Sequence, residues 1–139
     1  MLNKGVYGYE HVNVEAQRRD PGSLLNWMVR LIRMRKECPE VGWGECSVVA
    51  TGNPAVLGLL YEWRGSRLLT LHNFEEHPHE VRLRLPGEGT ERLVNLMAND
   101  DNRAARGGEH RITLEELGYR WFRIGRHAAP APLGGQPPR

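Results

Sequence analysis

The sequence lacks the features that mark several large classes of protein. Its 139 residues include only two cysteines, Cys38 and Cys46, so no disulfide framework is available, and two free thiols in a cytoplasmic protein are the simpler interpretation. No apolar run approaches the ~20 residues that cross a bilayer, and the first five residues have no apolar signal-peptide core. The chain is also too short for a (β/α)8 barrel, which takes ~250 residues. We therefore expect a cytoplasmic location, no membrane partner and no complete barrel.

The sequence also lacks a large excess of charge of one sign. Lys and Arg number 19 and Asp and Glu number 17, which gives a net charge of +2. A nucleic-acid binder needs a concentrated basic face. The most basic stretch, Arg30–Lys36, alternates with apolar residues and is typical of a solvated helix end. We expect no nucleic-acid partner.

The first region, residues 1–43, contains one strong helix signal. Asp20 or Ser23 can cap a helix over Ser23–Lys36, which Pro39 and Gly42 bring to an end. Its apolar residues recur at helical spacing: Leu24, Leu25, Trp27, Met28, Leu31, Ile32 and Met34. This stripe is wide, so we expect the helix to pack against two partners.

The second region, residues 44–125, predicts a β-sandwich. Short β-type runs alternate with turns such as Arg64-Gly65-Ser66, which indicates a hairpin. About seven strands are expected: Cys46–Thr51, Val56–Trp63, Arg67–Phe74, Glu80–Leu85, Arg92–Met97, His110–Leu114 and Tyr119–Ile124. Residues 99–108 are expected to form a polar loop. The fold class is thus mainly β, an antiparallel sandwich preceded by one amphipathic helix. Residues 126–139, rich in Pro and Gly, predict a disordered tail or linker.

The sequence contains no recognisable active-site motif. Histidines 72, 77 and 79 and the two cysteines lack the spacing of a zinc site, so no metal is expected. Ser23, Ser47 and Ser66 lie outside any GxSxG turn. The carboxylate pairs at 75–76, 100–101 and 115–116 are typical of solvated loops. No phosphate-binding loop is present, and no cofactor is expected.

Aromatic side chains leave one alternative open. Several could stack on sugar rings if they were exposed on one face, although aromatics in strands more often pack in a sheet: Tyr7, Tyr9, Trp43, Tyr61, Trp63, Tyr119 and Trp121.

Three stretches are considered together: Tyr7–Gln17 (YGYEHVNVEAQ), Ser23–Lys36 (beginning SLLNW) and Leu69–Phe74 (LTLHNF). They resemble the C-terminal end of α-amylase-superfamily enzymes (glycoside hydrolase family 13), above all the trehalose synthases, also named maltose α-D-glucosyltransferases. The resemblance covers about residues 5–125. It implies a loop over residues 5–22, the eighth barrel helix over Ser23–Lys36 and a C-terminal β domain over 44–125.

The resemblance also implies a function. The family converts maltose to trehalose by retaining transglucosylation, but its catalytic motifs do not occur in this sequence, so no catalytic residue is assigned. Tyr7, Tyr9 and Asn13 lie where the family's last barrel loop approaches the substrate. The implied barrel-packing residues are six of the helix: Leu24, Leu25, Trp27, Met28, Leu31 and Ile32.

Three hypotheses follow. The chain is the C-terminal part of such an enzyme and is inactive alone, or it is a stand-alone carbohydrate- or partner-binding module, or it completes a separately encoded barrel. The expected partners are the barrel, or a second copy through the exposed helix, with maltose, trehalose or glucan as candidate ligands.

Overall fold

The structure is a computed structural model that describes residues 8, 13–87, 89, 91–98, 101–103 and 108–125, the backbone alone for 101–103. It divides into two compact units, residues 1–39 and 40–139. This division falls slightly before the boundary expected at residue 44, and the domain assignments drawn from the sequence stay predictions. The predicted tail, 126–139, lies outside the described residues.

The helical unit contains one helix that the sequence predicted and one that it did not. The predicted helix, α2, covers Leu24–Lys36 and is capped by Ser23, whose hydroxyl accepts a hydrogen bond from the Asn26 backbone N–H. Residues 5–22 were expected to form a loop, but Val14–Arg19 form a short helix, α1, and this part of the prediction is wrong. Asn13 caps α1, because its side-chain oxygen accepts from the Ala16 N–H at 2.7 Å.

Polar side chains join the two helices. The Asn26 amide donates to the backbone oxygens of Gln17 at 2.8 Å, Arg18 at 3.2 Å and Asp20 at 2.7 Å, where α1 ends. The Gln17 side-chain oxygen in turn accepts from the Leu25 N–H at 3.0 Å. The first turn of α2 therefore satisfies backbone groups that the end of α1 leaves open.

The second unit begins with a short helix, α3 (Glu40–Trp43), at the point where the sequence predicted only a helix stop. Glu40 is buried, and its carboxylate accepts a hydrogen bond from the Ser66 hydroxyl and lies 3.6 Å from the Arg123 guanidinium. Gly44 follows, where a Cβ would lie 2.5 Å from the Glu40 carbonyl oxygen and 2.7 Å from that of Glu62. Only glycine allows the chain to pass so close to both backbones.

Eight strands make up the rest of the described unit: β1 (Glu45–Val49), β2 (Val56–Trp63), β3 (Ser66–Asn73), β4 (His79–Arg84), β5 (Arg92–Asn95), β6 (Asp101–Arg103), β7 (Glu109–Leu114) and β8 (Tyr119–Gly125). Seven of them correspond to the predicted strands. The eighth, β6, lies in the stretch expected to be a polar loop, and that expectation is wrong. Its three residues pair with β5 through backbone hydrogen bonds.

The strands form two antiparallel sheets, one of six strands in the order β1-β2-β3-β8-β5-β6 and one that pairs β4 with β7. Side chains from both sheets point into the space between them. The shared core is apolar: Val56, Leu60, Leu69, Leu71, Val81, Leu83, Leu85, Leu93, Ile112, Leu114, Phe122 and Ile124. The predicted mainly β fold, an antiparallel sandwich preceded by an amphipathic helix, is confirmed.

The predicted hairpin is confirmed in detail. Trp63 pairs with Ser66, and the two residues between them, Arg64 and Gly65, have φ of 47° and 80°. Two consecutive positive φ angles match the twist of the flanking strands. The Arg64 guanidinium lies 4.7 Å from the centroid of the Trp63 ring and makes a cation–π contact with it.

Candidate functional site

The predicted barrel-packing residues of α2 divide into an exposed and a half-buried group. Leu24, Met28 and Ile32, spaced four residues apart, are exposed, with 67% of Leu24 and 49% of Ile32 accessible. Leu25, Trp27 and Leu31 are half-buried, and no residue of α2 is buried. The structure adds Val29, which the sequence analysis did not include and which is also exposed. Its position beside Ile32 on the helix surface was the available signal.

The predicted substrate-proximal residues are only partly described. Tyr7 and Tyr9 lie outside the described residues. Asn13 is half-buried, and its side-chain oxygen is used in capping α1. The assignment of these three residues to the substrate side therefore stays a prediction.

The serines and cysteines occupy structural positions. Ser23 caps α2, Ser66 bonds Glu40, and Ser47 is exposed on β1. Cys38 is buried, Cys46 is exposed, and neither forms a disulfide, as predicted. Within the described ranges, no three His, Cys, Asp or Glu side chains are grouped as metal ligands would be. Among the same residues no helix is long and apolar enough to cross a membrane.

The aromatic residues of the central strands share one face of the six-stranded sheet. Register places Tyr61 beside Leu68, and Thr70 beside Trp121, all on the face opposite the core residues Leu69 and Phe122. Of the candidates considered from the sequence, Tyr61, Trp63, Tyr119 and Trp121 are half-buried, and Trp43 of α3 is exposed.

One end of this face carries a row of three rings. The His72 ring lies 6.4 Å from Phe74 and 6.3 Å from Tyr119 between centroids, and its plane is within 20° and 21° of theirs. Phe74 is 67% exposed. Burial lowers the pKa of His72, so its ring is neutral at neutral pH. Phe74 was missing from the aromatic residues considered earlier, although positions 70, 72 and 74 alternate as one face of a strand.

A polar chain borders this end of the sheet. Asn53 donates from its amide to His79 Nδ1 at 3.0 Å, and His79 Nε2 donates to the Glu75 carboxylate at 2.8 Å. A second carboxylate, Glu115, accepts from Arg120 at 2.5 Å, which lowers its pKa. The carboxylate pairs 75–76 and 115–116 are exposed, as expected for solvated loops, and the side chains at 100–101 lie outside the described residues.

Comparison with known proteins shows what this chain is similar to. Residues 65–123 match the family described as sucrose hydrolase-like, C-terminal domain. The trehalose synthase of Pimelobacter sp. (strain R48) is 34% identical over 123 residues, which cover 86% of this chain. The trehalose synthase of Thermus thermophilus is 30% identical over 125 residues, which cover 88% of this chain. The chain resembles the C-terminal region of trehalose synthase-like proteins. The predicted resemblance is thereby confirmed.

The chain spans about a fifth of the Pimelobacter relative, 22% of its length, and 13% of the Thermus relative. Solved structures of the α-amylase family share the fold. The α-amylase from Geobacillus thermoleovorans, complexed with acarbose, superposes with a TM-score of 0.69 over 80% of this chain and 24% of its own, at 16% identity. Trehalulose synthase MutB gives 0.64 over 84% and 20%, at 19% identity.

Proposed function

We propose that this chain serves as the C-terminal part of a trehalose synthase-like enzyme. In this role α2 packs as the last helix of a (β/α)8 barrel, and the sandwich is the C-terminal domain. The whole enzyme would act as an isomerase that interconverts maltose and trehalose by retaining transglucosylation. The exposed side of α2 carries the proposal, and the similarity to about a fifth of a trehalose synthase supports it.

The exposed side of α2 has the form of a packing surface. Leu24, Met28 and Ile32 form a stripe one helical turn apart, and Val29 widens it. Complete burial of one such side chain stabilises by about 1.5–3 kcal/mol. A neighbouring barrel helix could cover all four, since ridges of residues spaced by four pack into grooves of a facing helix.

The catalytic residues of this enzyme would belong to the barrel and not to this chain. The described side chains offer caps, ion pairs and sheet-face aromatics, and the sequence lacks the family's catalytic motifs. We propose that the chain alone does not turn over maltose. Tyr7, Tyr9 and Asn13 stay proposed as residues near the substrate. The two cysteines, which form no disulfide, support a reducing, cytoplasmic location.

A chimera tests the packing role. This chain replaces the matching region of the Pimelobacter trehalose synthase, and maltose-to-trehalose conversion is assayed. We expect a folded and active chimera, because α2 and the sandwich supply the same packing surfaces. Ile32→Glu places a charge in the proposed helix–barrel contact and is expected to lower activity at least about tenfold, which corresponds to about 1.4 kcal/mol.

Val48→Glu is the matched control, since Val48 is an exposed apolar residue of β1 in the other unit. It is expected to leave the chimera as active as before. Equal activity of the Ile32→Glu and Val48→Glu chimeras would contradict the packing role, and so would conversion of maltose by this chain alone.

The isolated chain offers a second test. Without a barrel, the exposed stripe is available to a second copy, so we expect self-association in sedimentation equilibrium that weakens in the Ile32→Glu variant. A monomeric chain that binds sugar tightly would instead favour the stand-alone module.

A further inference from the structure

The exposed apolar side of α2 ends in a group of cations. Its main row of apolar residues, spaced by four, ends at Ile32, and the same spacing continues to Lys36. A second row leads from Val29 to Arg33, and Arg35 lies three residues beyond Ile32. All three cationic side chains are exposed. The apolar stripe and the cations therefore belong to one surface of the helix.

No carboxylate of α2 offsets these cations. The helix contains four basic residues and neither Asp nor Glu. One of the four, Arg30, donates to the backbone oxygen of Pro21 at 2.9 Å. Within the described residues, no ion pair involves Arg33, Arg35 or Lys36. The C-terminal end of α2 thus carries positive charge that the described part of the chain does not neutralise.

The sandwich treats its arginines differently. Guanidinium nitrogens of five of them lie between 2.5 and 3.6 Å from a carboxylate oxygen: Arg67, Arg82, Arg111, Arg120 and Arg123. The unmatched charge is therefore a property of the α2 surface and not of the whole chain.

A surface that covers the apolar row also reaches the cations. Lys36 lies one helical turn, about 5.4 Å, beyond Ile32. A cation that loses water without gaining an anion is strongly unfavourable, whereas one that meets a carboxylate forms a charge-assisted hydrogen bond. A second copy of α2 would bring only further cations. The charge of this face therefore favours a partner that carries anions.

We propose that the surface that covers α2 is apolar along Leu24–Ile32 and acidic at the end that faces Arg33, Arg35 and Lys36, with the carboxylates supplied by a neighbouring helix of the barrel. This inference rests on the proposed function and adds the charge of the partner surface. The relatives contain the place for such a surface, since this chain matches only 22% of the length of the Pimelobacter trehalose synthase.

Charge reversal in the chimera with the Pimelobacter enzyme tests the acidic end. We expect Arg33→Glu combined with Lys36→Glu to lower the temperature of half-inactivation by at least about 2 °C in about 20 mM NaCl, and by less than half as much in about 500 mM NaCl, because salt screens charges. The matched control is Arg64→Glu combined with Arg84→Glu, two exposed arginines of the sandwich that form no ion pair within the described residues. It is expected to shift that temperature by less than half as much.

Amide exchange of α2, followed by mass spectrometry, separates this contact from the helix dipole. The dipole also favours cations in the last turn, but it acts equally in the isolated chain and in the chimera. The double variant Arg33→Glu with Lys36→Glu is expected to accelerate exchange of α2 at least about threefold more in the chimera than in the isolated chain. Equal acceleration in both would overturn the proposal.

Two further outcomes would also overturn it. In the first, Ile32→Glu lowers the activity of the chimera but the charge reversal behaves like its control; the packing role then holds and the acidic end is wrong. In the second, the chimera co-sediments with phosphatidylserine vesicles, which would assign the cations to a membrane. We expect no co-sedimentation, because the barrel covers them.

Discussion

The two compact units hold themselves together by different means. In the helical unit, none of the residues of α1 and α2 is buried, and side-chain amides and hydroxyls bond the end of one helix to the start of the next. In the sandwich, a dozen apolar side chains from both sheets share one core. The helical unit is therefore organised mainly by hydrogen bonds, which contribute about 0.5–1.5 kcal/mol each, and the sandwich mainly by apolar burial.

This difference shows where each unit can support function. A closed core leaves only the outside of the sandwich for binding, and the row of rings at Phe74 lies on that outside. The helical unit keeps its apolar side chains accessible, so its surface gains stability when another surface covers it. The sandwich encloses its own apolar core, whereas the helical unit offers an apolar surface to a partner.

Matched leucine truncations test this contrast most strongly. Leu69→Ala is expected to destabilise the sandwich by about 2–5 kcal/mol, because Leu69 is 0% exposed and its loss leaves a cavity. Leu24→Ala, on the exposed side of α2, is expected to change the free energy of unfolding by less than about 0.5 kcal/mol. Urea denaturation of both variants measures the difference, and similar losses would refute the contrast.

Removing the Asn26 amide tests the hydrogen-bonded junction. Asn26→Ala leaves three backbone oxygens at the end of α1 without this donor, and we expect a local loss of about 1–3 kcal/mol. Amide hydrogen exchange should accelerate in α1 and not in β3. The exposed residue Arg33, on the same helix, provides the control variant Arg33→Ala, which should leave α1 protected. Faster exchange in β3 as well would show that the units do not respond separately.

The sandwich should also be more sensitive to mild acid. Burial lowers the pKa of His110, which is fully enclosed on β7, and of His72, below the ordinary value of 6.5. The unfolded chain therefore takes up these protons first, so stability is constant above about pH 6.5 and falls as the pH drops towards the lowered values. Urea midpoints at pH 7.5 and 5.5 should show this fall, and His110→Gln should reduce it. If the urea midpoint of His110→Gln fell between pH 7.5 and 5.5 as much as that of the original chain, His110 would not be a source of the acid sensitivity.

The smallest expected effect lies in the loop before β8. Leu117 has a φ of 48°, a left-handed conformation that costs a branched residue about 1–2 kcal/mol. Leu117→Gly removes that strain but adds entropy to the unfolded chain, so we expect a net gain of about 0.5 kcal/mol. Thermal unfolding measures it. Gly65→Ala, at a φ of 80°, is the converse change and should destabilise.

Local patterns in the sequence predicted the longer elements well. Helix α2 has a cap and several turns of periodic apolar residues, and the hairpin at Arg64-Gly65 has its turn signal between two alternating runs. Helices α1 and α3 and strand β6 were missed because they have only six, four and three residues. So few residues repeat a hydrophobic period too seldom for it to be recognised, and these elements depend on caps and pairing partners.

The candidate site was harder to foresee, because it depends on strand order. The sequence shows that β8 exists but not that it pairs with β3, and that pairing is what brings Tyr119 beside His72. In the same way, the sequence showed that the apolar stripe of α2 is wide, but not which of its residues are exposed and which are half-buried. Contacts between distant segments are set by packing, which no local pattern encodes.

Every member of the apolar core lies between positions 56 and 124, well past the division after Pro39. Exchange of the sandwich between genes, with a junction near that proline, would therefore leave this apolar core undivided. All the residues that form the core would then be inherited together, whatever sequence precedes them.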